Sequence, residues 1–323
     1  MIELRGNAPA STRTRRAALT VMTTLSALSL ATVAACSDGG SAAVPPGGGD
    51  AGAQAADPYP NAPVAAASDI PAGSVMEKIK KRGELLVGGS LDAPLLSQQN
   101  PVTGQVEGFD ADLGKMLAKY IIGKPSVKIV NSASETREAL LSNGTVDVVF
   151  QTYTITPERA EQVAFAGPYY VSGLAIAVKK GTTGIAKPED LDGKTVIAGA
   201  NTPAIPAIKK LAPNAKIVTF GSDPECVQAL KQDRGVAYVQ DQSLLVADGK
   251  SDPGLQVVGE PFTTDPYGIG LKHGDDQMKS FVNGWLKKIQ DAGLWQEAWK
   301  RSIGTVVQGP APTPPAIGSV PGS

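Results

Sequence analysis

Residues 147–173 read DVVFQTYTITPERAEQVAFAGPYYVSG, and the fold can be worked outward from this stretch. Apart from Asp147 the run 146–150 is apolar, which suits a buried strand. A polar segment follows, Gln151-Thr152-Tyr153-Thr154. Thr156 then reads as a helix N-cap, with Pro157 at the first helical position and Arg159 in the first turn. A guanidinium there opposes the positive end of the helix dipole, so an anion should sit close by. Two answers fit these residues equally. One is a bound carboxylate, gripped by the arginine fork with threonine hydroxyls and backbone N–H groups. The other is an internal pair with Glu158 or Asp147.

Upstream, a helix over 74–82 stops at Gly83 and a strand covers 84–87. A helix begins at Phe109, whose apolar residues Phe109, Leu113, Met116, Leu117, Tyr120 and Ile121 follow a 3.6 period. A strand at 127–130, a helix at 135–142 closed by Asn143-Gly144, and the strand 146–150 complete a β-α-β-α-β unit. A second copy lies downstream. Its strands are 194–198, 217–220 and 236–239, and its helices are 203–211 and one running to Arg234. Asp223 is placed as the cap of that last helix and Pro224 at its first position. The strand 267–271 precedes helices carrying Trp285, Trp295 and Trp299 that have no strand after them. They are expected to return to the first lobe. The fold class is therefore α/β, two Rossmann-like lobes with helices on both sheet faces. Ligands bind such sheets at the carboxyl ends of their strands, here around one cleft.

The N-terminus looks like an export signal. Arg13, Arg15 and Arg16 precede an apolar run that ends in Val33-Ala34-Ala35-Cys36, which resembles a bacterial lipobox. Residues 1–35 are thus expected to be removed and Cys36 lipidated, tethering the protein outside the cell membrane; an uncleaved anchor is the alternative. Residues 36–69 are rich in Gly, Ala, Pro and Ser and read as a disordered tether. The Pro/Gly-rich 309–323 read as a disordered tail. Between them, 70–180 form lobe 1, 181–264 lobe 2 and 265–308 a return segment to lobe 1. Without the four arginines and one glutamate before Cys36, the 30 basic and 31 acidic side chains become 26 and 30, a net charge of −4. No basic block remains for nucleic acid. Cys226 is then the one remaining thiol, so no disulfide framework exists, and the single histidine, His273, reads as an exposed turn residue. No metal, cofactor or catalytic triad is expected.

Several motifs in order resemble family 3 of the extracellular solute-binding proteins, the polar amino-acid group of ABC importers. They are Gly108-Phe109-Asp110-Ala111-Asp112-Leu113, Val146-Asp147, Thr154-Ile155-Thr156-Pro157-Glu158-Arg159 and Phe165-Ala166-Gly167-Pro168-Tyr169-Tyr170. Two more are Pro188 through Lys194 at the start of the second lobe and Tyr267-Gly268-Ile269-Gly270-Leu271. The set looks like the actinobacterial glutamate-binding lipoproteins. The resemblance implies a type II periplasmic-binding-protein fold with a two-strand hinge. It also implies a monomer that passes its amino acid to ABC permease subunits. By the same resemblance, Arg159 clamps the ligand α-carboxylate beside Thr152 and Thr154, and Asp241 accepts from the α-ammonium. Asp241 could otherwise be a plain helix cap. Arg137 stands where acidic-amino-acid members read the side chain; pointing inward it favours glutamate or aspartate, and pointing outward it is a surface charge. Asp92 either sees the ligand or caps a turn. Ala200-Asn201-Thr202-Pro203 replaces the family's Gly-Thr-Thr/Ser loop, so Asn201 and Thr202 are the lobe-2 candidates near the carboxylate, with fewer free N–H groups. Leu95 and Leu96 replace an aromatic platform, and Ile197 stands where some relatives have a cysteine to pair with Cys226.

The leading expectation is a binding protein without chemistry, for glutamate or aspartate and also glutamine or asparagine. Two alternatives share the features. A sensor would report amino-acid status to a membrane receptor. A small-acid dehydratase of the same fold would need a general acid or base, for which Asp241 and Glu107 are the candidates.

Overall fold

The computed structural model describes residues 57–323. The expected signal, Cys36 and most of the expected tether lie outside the described residues. Two five-stranded sheets form the two lobes. In lobe 1 the strand order is Val127–Asn131, Leu85–Gly89, Val148–Val149, Asp265–Leu271, Ala164–Ser172. In lobe 2 it is Lys216–Phe220, Thr195–Gly199, Ala237–Asp241, Leu174–Lys179, Leu255–Val258. Each sheet has three parallel strands with the first of them central, then one antiparallel strand, and an edge strand that pairs antiparallel with it. The first antiparallel strand of each lobe is the one that has just arrived from the other lobe, so the chain crosses twice. This is the type II periplasmic-binding-protein architecture.

Local chemistry accounts for the boundaries. Val75–Arg82 starts at Ser74, whose hydroxyl accepts from Glu77 N, and stops at Gly83, which takes the left-handed conformation (φ 77°). Asp223–Lys231 is capped by Ser222, whose side chain accepts from Glu225 N, in place of the expected Asp223. Ser222 and Glu225 complete a capping box, which frees the Asp223 side chain.

The crossover also differs from expectation. Leu174–Lys179 belongs to the lobe-2 sheet, so lobe 1 ends near Ser172 and not at 180. An apolar strand carries no mark of which lobe will bury it. The return crossing falls at Thr263 to Asp265.

Helices Asp276–Asp291 and Leu294–Arg301 do return to lobe 1, where Trp285, Trp295 and Trp299 join Phe109, Phe150 and Tyr169 in one core. Trp295 Nε1 donates to Tyr169 O at 2.8 Å, satisfying the buried indole. Lobe 2 buries both faces of its sheet in two separate apolar clusters. Cys226 lies in one of them as a free, buried thiol.

Both expected disordered flanks are ordered where they are described. Tyr59, Ala62 and Ala65 are buried against lobe 1; Tyr59 Oη donates to Asp112 at 2.8 Å, and Lys119 Nζ donates to the carbonyls of Tyr59 and Pro60. At the other end, Gly318 N donates to Gly167 O at 2.8 Å and Val320 packs on the cluster of Leu141, Ile155 and Phe165. The few apolar residues of these segments find grooves on lobe 1, and proline limits the entropy lost on docking. Among the described residues no helix is long and apolar enough to cross a membrane.

Candidate functional site: an interlobe cleft

A cavity of about 120 Å³ lies between the lobes. Its lining follows the strand ends. Ser90 and Ser132 come directly after two of the parallel strands of lobe 1 and Gln151 two residues after the third, and Ala200, Gly221 and Asp241 stand at those of lobe 2. Gln151 knits the lobe-1 loops together, accepting from Ser132 Oγ at 2.8 Å and donating to Ser132 O and to Ser90 Oγ.

Thr152 is held with φ 44°, a left-handed value that costs a threonine about 1 kcal/mol or more. Asp110 holds it there, since its carboxylate accepts from Thr152 N and from Tyr169 Oη, both at 2.9 Å. Burial pushes the Asp110 carboxyl up to about 6, against those two donors. The motif around Asp110 thus has a physical purpose, which is to hold the strained turn.

Arg159 follows Thr156, whose Oγ1 accepts from Arg159 N at 3.3 Å. The helix Pro157–Ala160 is a single turn, and the guanidinium leaves it for the cavity. Nη1 donates to Thr154 O and Nη2 to Asn201 O, both at 2.8 Å. Neither internal pair considered from sequence forms: Asp147 is taken by Arg82 and Leu86 N, and no salt bridge among the described residues joins Arg159 to Glu158. Arg137 points inward and is 2% exposed, with Nη1 donating to Gln151 O and Nε left without a protein partner. The two guanidiniums share the ring of Tyr153, at 4.0 Å for Arg137 and 5.1 Å for Arg159. Burial, then the neighbouring Arg159 charge, lowers the Arg137 pKa to about 10.

Asp241 closes its strand and is 4% exposed, with Oδ1 lacking a protein partner. Its side chain makes no cap bond to the following helix. Burial, then Asp265, pushes its carboxyl up to about 8, against the Tyr267 hydroxyl, Arg159 and Arg137. Among the described residues no salt bridge involves Arg137, Arg159 or Asp241.

The structure brings Arg159, Thr154, Thr152, Asp241, Arg137, Asp92 and Thr202 to one cavity. Thr202 Oγ1 is turned to Gly199 O at 2.8 Å. Asn201 is not in the lining. Its backbone accepts from Arg159, and its side chain donates to Ser134 O at 3.1 Å, both across the cleft. Leu96 lines the cavity, whereas Leu95 and Glu107 face another part of lobe 1. Sequence reasoning gave no ligand-binding role to Ser90, Ser132, Gln151, Asp110, Asp223 or Gln240. A polar residue immediately after an apolar strand was the available signal for the first three.

Known proteins match this arrangement. The chain is 39% identical over 213 residues to the glutamine-binding protein of Geobacillus stearothermophilus, covering 65% of this chain and 81% of that one. It is 30% identical over 237 residues to the glutamate-binding protein GluB of Corynebacterium glutamicum, covering 69% and 80%. A solved structure described as an ancestral arginine-binding protein bound to glutamine superposes with a TM-score of 0.65 at 34% identity, covering 69% of this chain and 99% of that one. The sequence profile of the bacterial extracellular solute-binding proteins, family 3, matches residues 85–305. The crossed two-lobed fold, the polar cleft at its strand ends and this match over most of the folded chain place the protein in family 3 of the bacterial extracellular solute-binding proteins.

Proposed function

We propose that the protein captures a free polar amino acid, glutamate, aspartate, glutamine or asparagine, and delivers it to an ABC permease from a lipid anchor on Cys36. One observation carries the ligand reading. Arg159 and Asp241 come from opposite lobes, face one cavity, are nearly fully buried, and lack a salt-bridge partner among the described residues. Buried opposite charges left unpaired are costly, and a zwitterion supplies both partners. The α-carboxylate goes to Arg159, which has five N–H donors and spends two on protein carbonyls. The α-ammonium goes to Asp241 Oδ1. Thr152 and Thr154 flank the carboxylate, and Arg137 adds a second cation at that end. Because each lobe holds one of the two charges, the ligand favours the conformation in which both are near it.

Glutamine- and glutamate-binding relatives support the same class of ligand. Calorimetric titration with these four amino acids tests the reading. Micromolar or tighter binding of at least one is expected, lost in Arg159→Ala with the fold retained. Unchanged affinity in Arg159→Ala would remove the site.

A further inference from the structure

Asp223, freed from capping by Ser222, lines the cleft. Behind it Tyr238 Oη donates to Asp223 Oδ1 at 2.6 Å, and the carboxyl of Asp248 lies beside it. Burial and the Asp223 charge push Asp248 up to about 8; burial also raises Asp223, against hydrogen bonds from Tyr238, Asp248 and Gln240, so the proton the two acids share stays on Asp248. Gln240 Nε2 donates to Tyr238 Oη at 2.8 Å, and Gln240 Oε1 accepts from Asp241 N at 3.0 Å. A chain of hydrogen bonds thus ties Asp223 to the residue proposed for the ligand ammonium.

Across the cleft stands Asp92. Its strand, Asp92–Ala93, packs on the helix Asp223–Lys231, and the Asp92 charge acts on Asp223. Neither carboxylate has a salt bridge among the described residues. The nearby Glu225 is already engaged, accepting from Gly221 N and Ser222 N at 3.0 Å. The cavity is therefore polarised. Arg137 and Arg159 act on Asp241, while Asp92 acts on Asp223. Independent of these acids, Arg137 Nε and Asp241 Oδ1 are buried, belong to residues lining the same cavity and lack partners among the described residues, which marks it as a ligand site.

We infer that Asp223 is a specificity-determining residue: with Asp92 it presents an acceptor-only pair to the ligand side chain, which must carry N–H donors, as a carboxamide does, and not a carboxylate. The inference rests on the amino-acid reading above and narrows it. Ionised carboxylates only accept hydrogen bonds. A carboxamide offers two N–H groups, one for each acid, whereas the carboxylate of glutamate would face two like charges. Arg137 does not reverse this preference. It shares the Tyr153 ring with Arg159, so its charge is answered by the α-carboxylate. Guanidinium and ammonium side chains also carry N–H donors, so arginine is included beside glutamine in the test.

The purified chain, Asp223→Asn and Asp92→Asn are titrated calorimetrically with L-glutamine, L-glutamate and L-arginine. The wild type should bind glutamine at least tenfold more tightly than glutamate. Each substitution should shrink that ratio at least fivefold, chiefly by strengthening glutamate. A merely structural Asp223 would weaken both ligands alike. Arginine tighter than glutamine would support the acceptor pair and identify a cation as its target. Glutamate binding as tightly as glutamine in the wild type, or a ratio unchanged in both variants, would overturn the inference. Should Asp223→Asn fail to fold, Asp92→Asn still decides, because the Asp92 side chain is exposed. If none of the three binds, and aspartate and asparagine do not bind either, the amino-acid reading itself fails, which is a different result from a reversed preference.

Discussion

The guanidinium of Arg159, on lobe 1, donates a 2.8 Å hydrogen bond to the backbone carbonyl of Asn201, on lobe 2. The Asn201 side chain returns the contact, donating to Ser134 O at 3.1 Å. One residue with left-handed backbone (φ 54°) therefore bridges the lobes twice. The same arginine is proposed to hold the ligand carboxylate, so ligand binding and lobe closure share a side chain.

Asn201→Ala removes the side-chain half of this bridge and keeps the carbonyl. A net hydrogen bond is worth about 0.5–1.5 kcal/mol, so affinity should fall about two- to tenfold, mostly through faster release. Stopped-flow dissociation measures it. An unchanged off-rate would show that the bridge does not stabilise the closed form.

Arg137→Ala should weaken glutamine and glutamate by similar factors, about tenfold or more, because its charge lies beside Arg159. Calorimetry with both ligands reads this directly. A loss confined to glutamate would instead make Arg137 the reader of side-chain charge.

The residues that built the helices and parallel strands were legible because period and caps are local. Ser74, Gly83 and Thr156 mark boundaries in the sequence and in the structure. The sheet of Asp92–Ala93, Ser97–Gln99 and Val106–Glu107 was not legible, since strands of two or three polar residues have no period. In the cleft, Arg159 stood out as a cation at a helix start, whereas Asp241 was legible only through the family resemblance. Asp223 did not stand out, because an acid before Pro224 reads as a cap, and only Ser222 taking that duty shows that its carboxyl is not spent on capping. The tail was misread because its composition gave no hint of the groove that Val320 fills.

The buried Asp241 carboxyl gives binding a pH dependence. Its pKa is raised to about 8, and pairing with an ammonium lowers it, so binding releases a proton. Affinity should therefore rise from about pH 6 towards pH 8, by up to tenfold per unit. Without ligand the sign is opposite for stability. The folded form binds more protons than the unfolded one between about pH 4 and 8, so this contribution falls as pH rises through that window. Asp241→Asn should flatten both profiles; an unflattened binding profile would assign the titration to another group.

Deleting residues 309–323 removes the Val320 contact and the Gly318 hydrogen bond. Val320 is only partly buried, so its loss is worth about 1 kcal/mol and Tm should drop by a few degrees. A calorimetric melt identical to that of the full chain would show that the tail adds nothing.

The central claim is that the two lobes each hold one charge of a zwitterion. Titration with L-glutamine, with the same molecule lacking its α-amino group, and with its α-carboxamide tests this most directly. The account predicts that each analogue loses at least a hundredfold in affinity, because one buried charge is left unpaired. Either analogue binding within a few-fold of L-glutamine would contradict it.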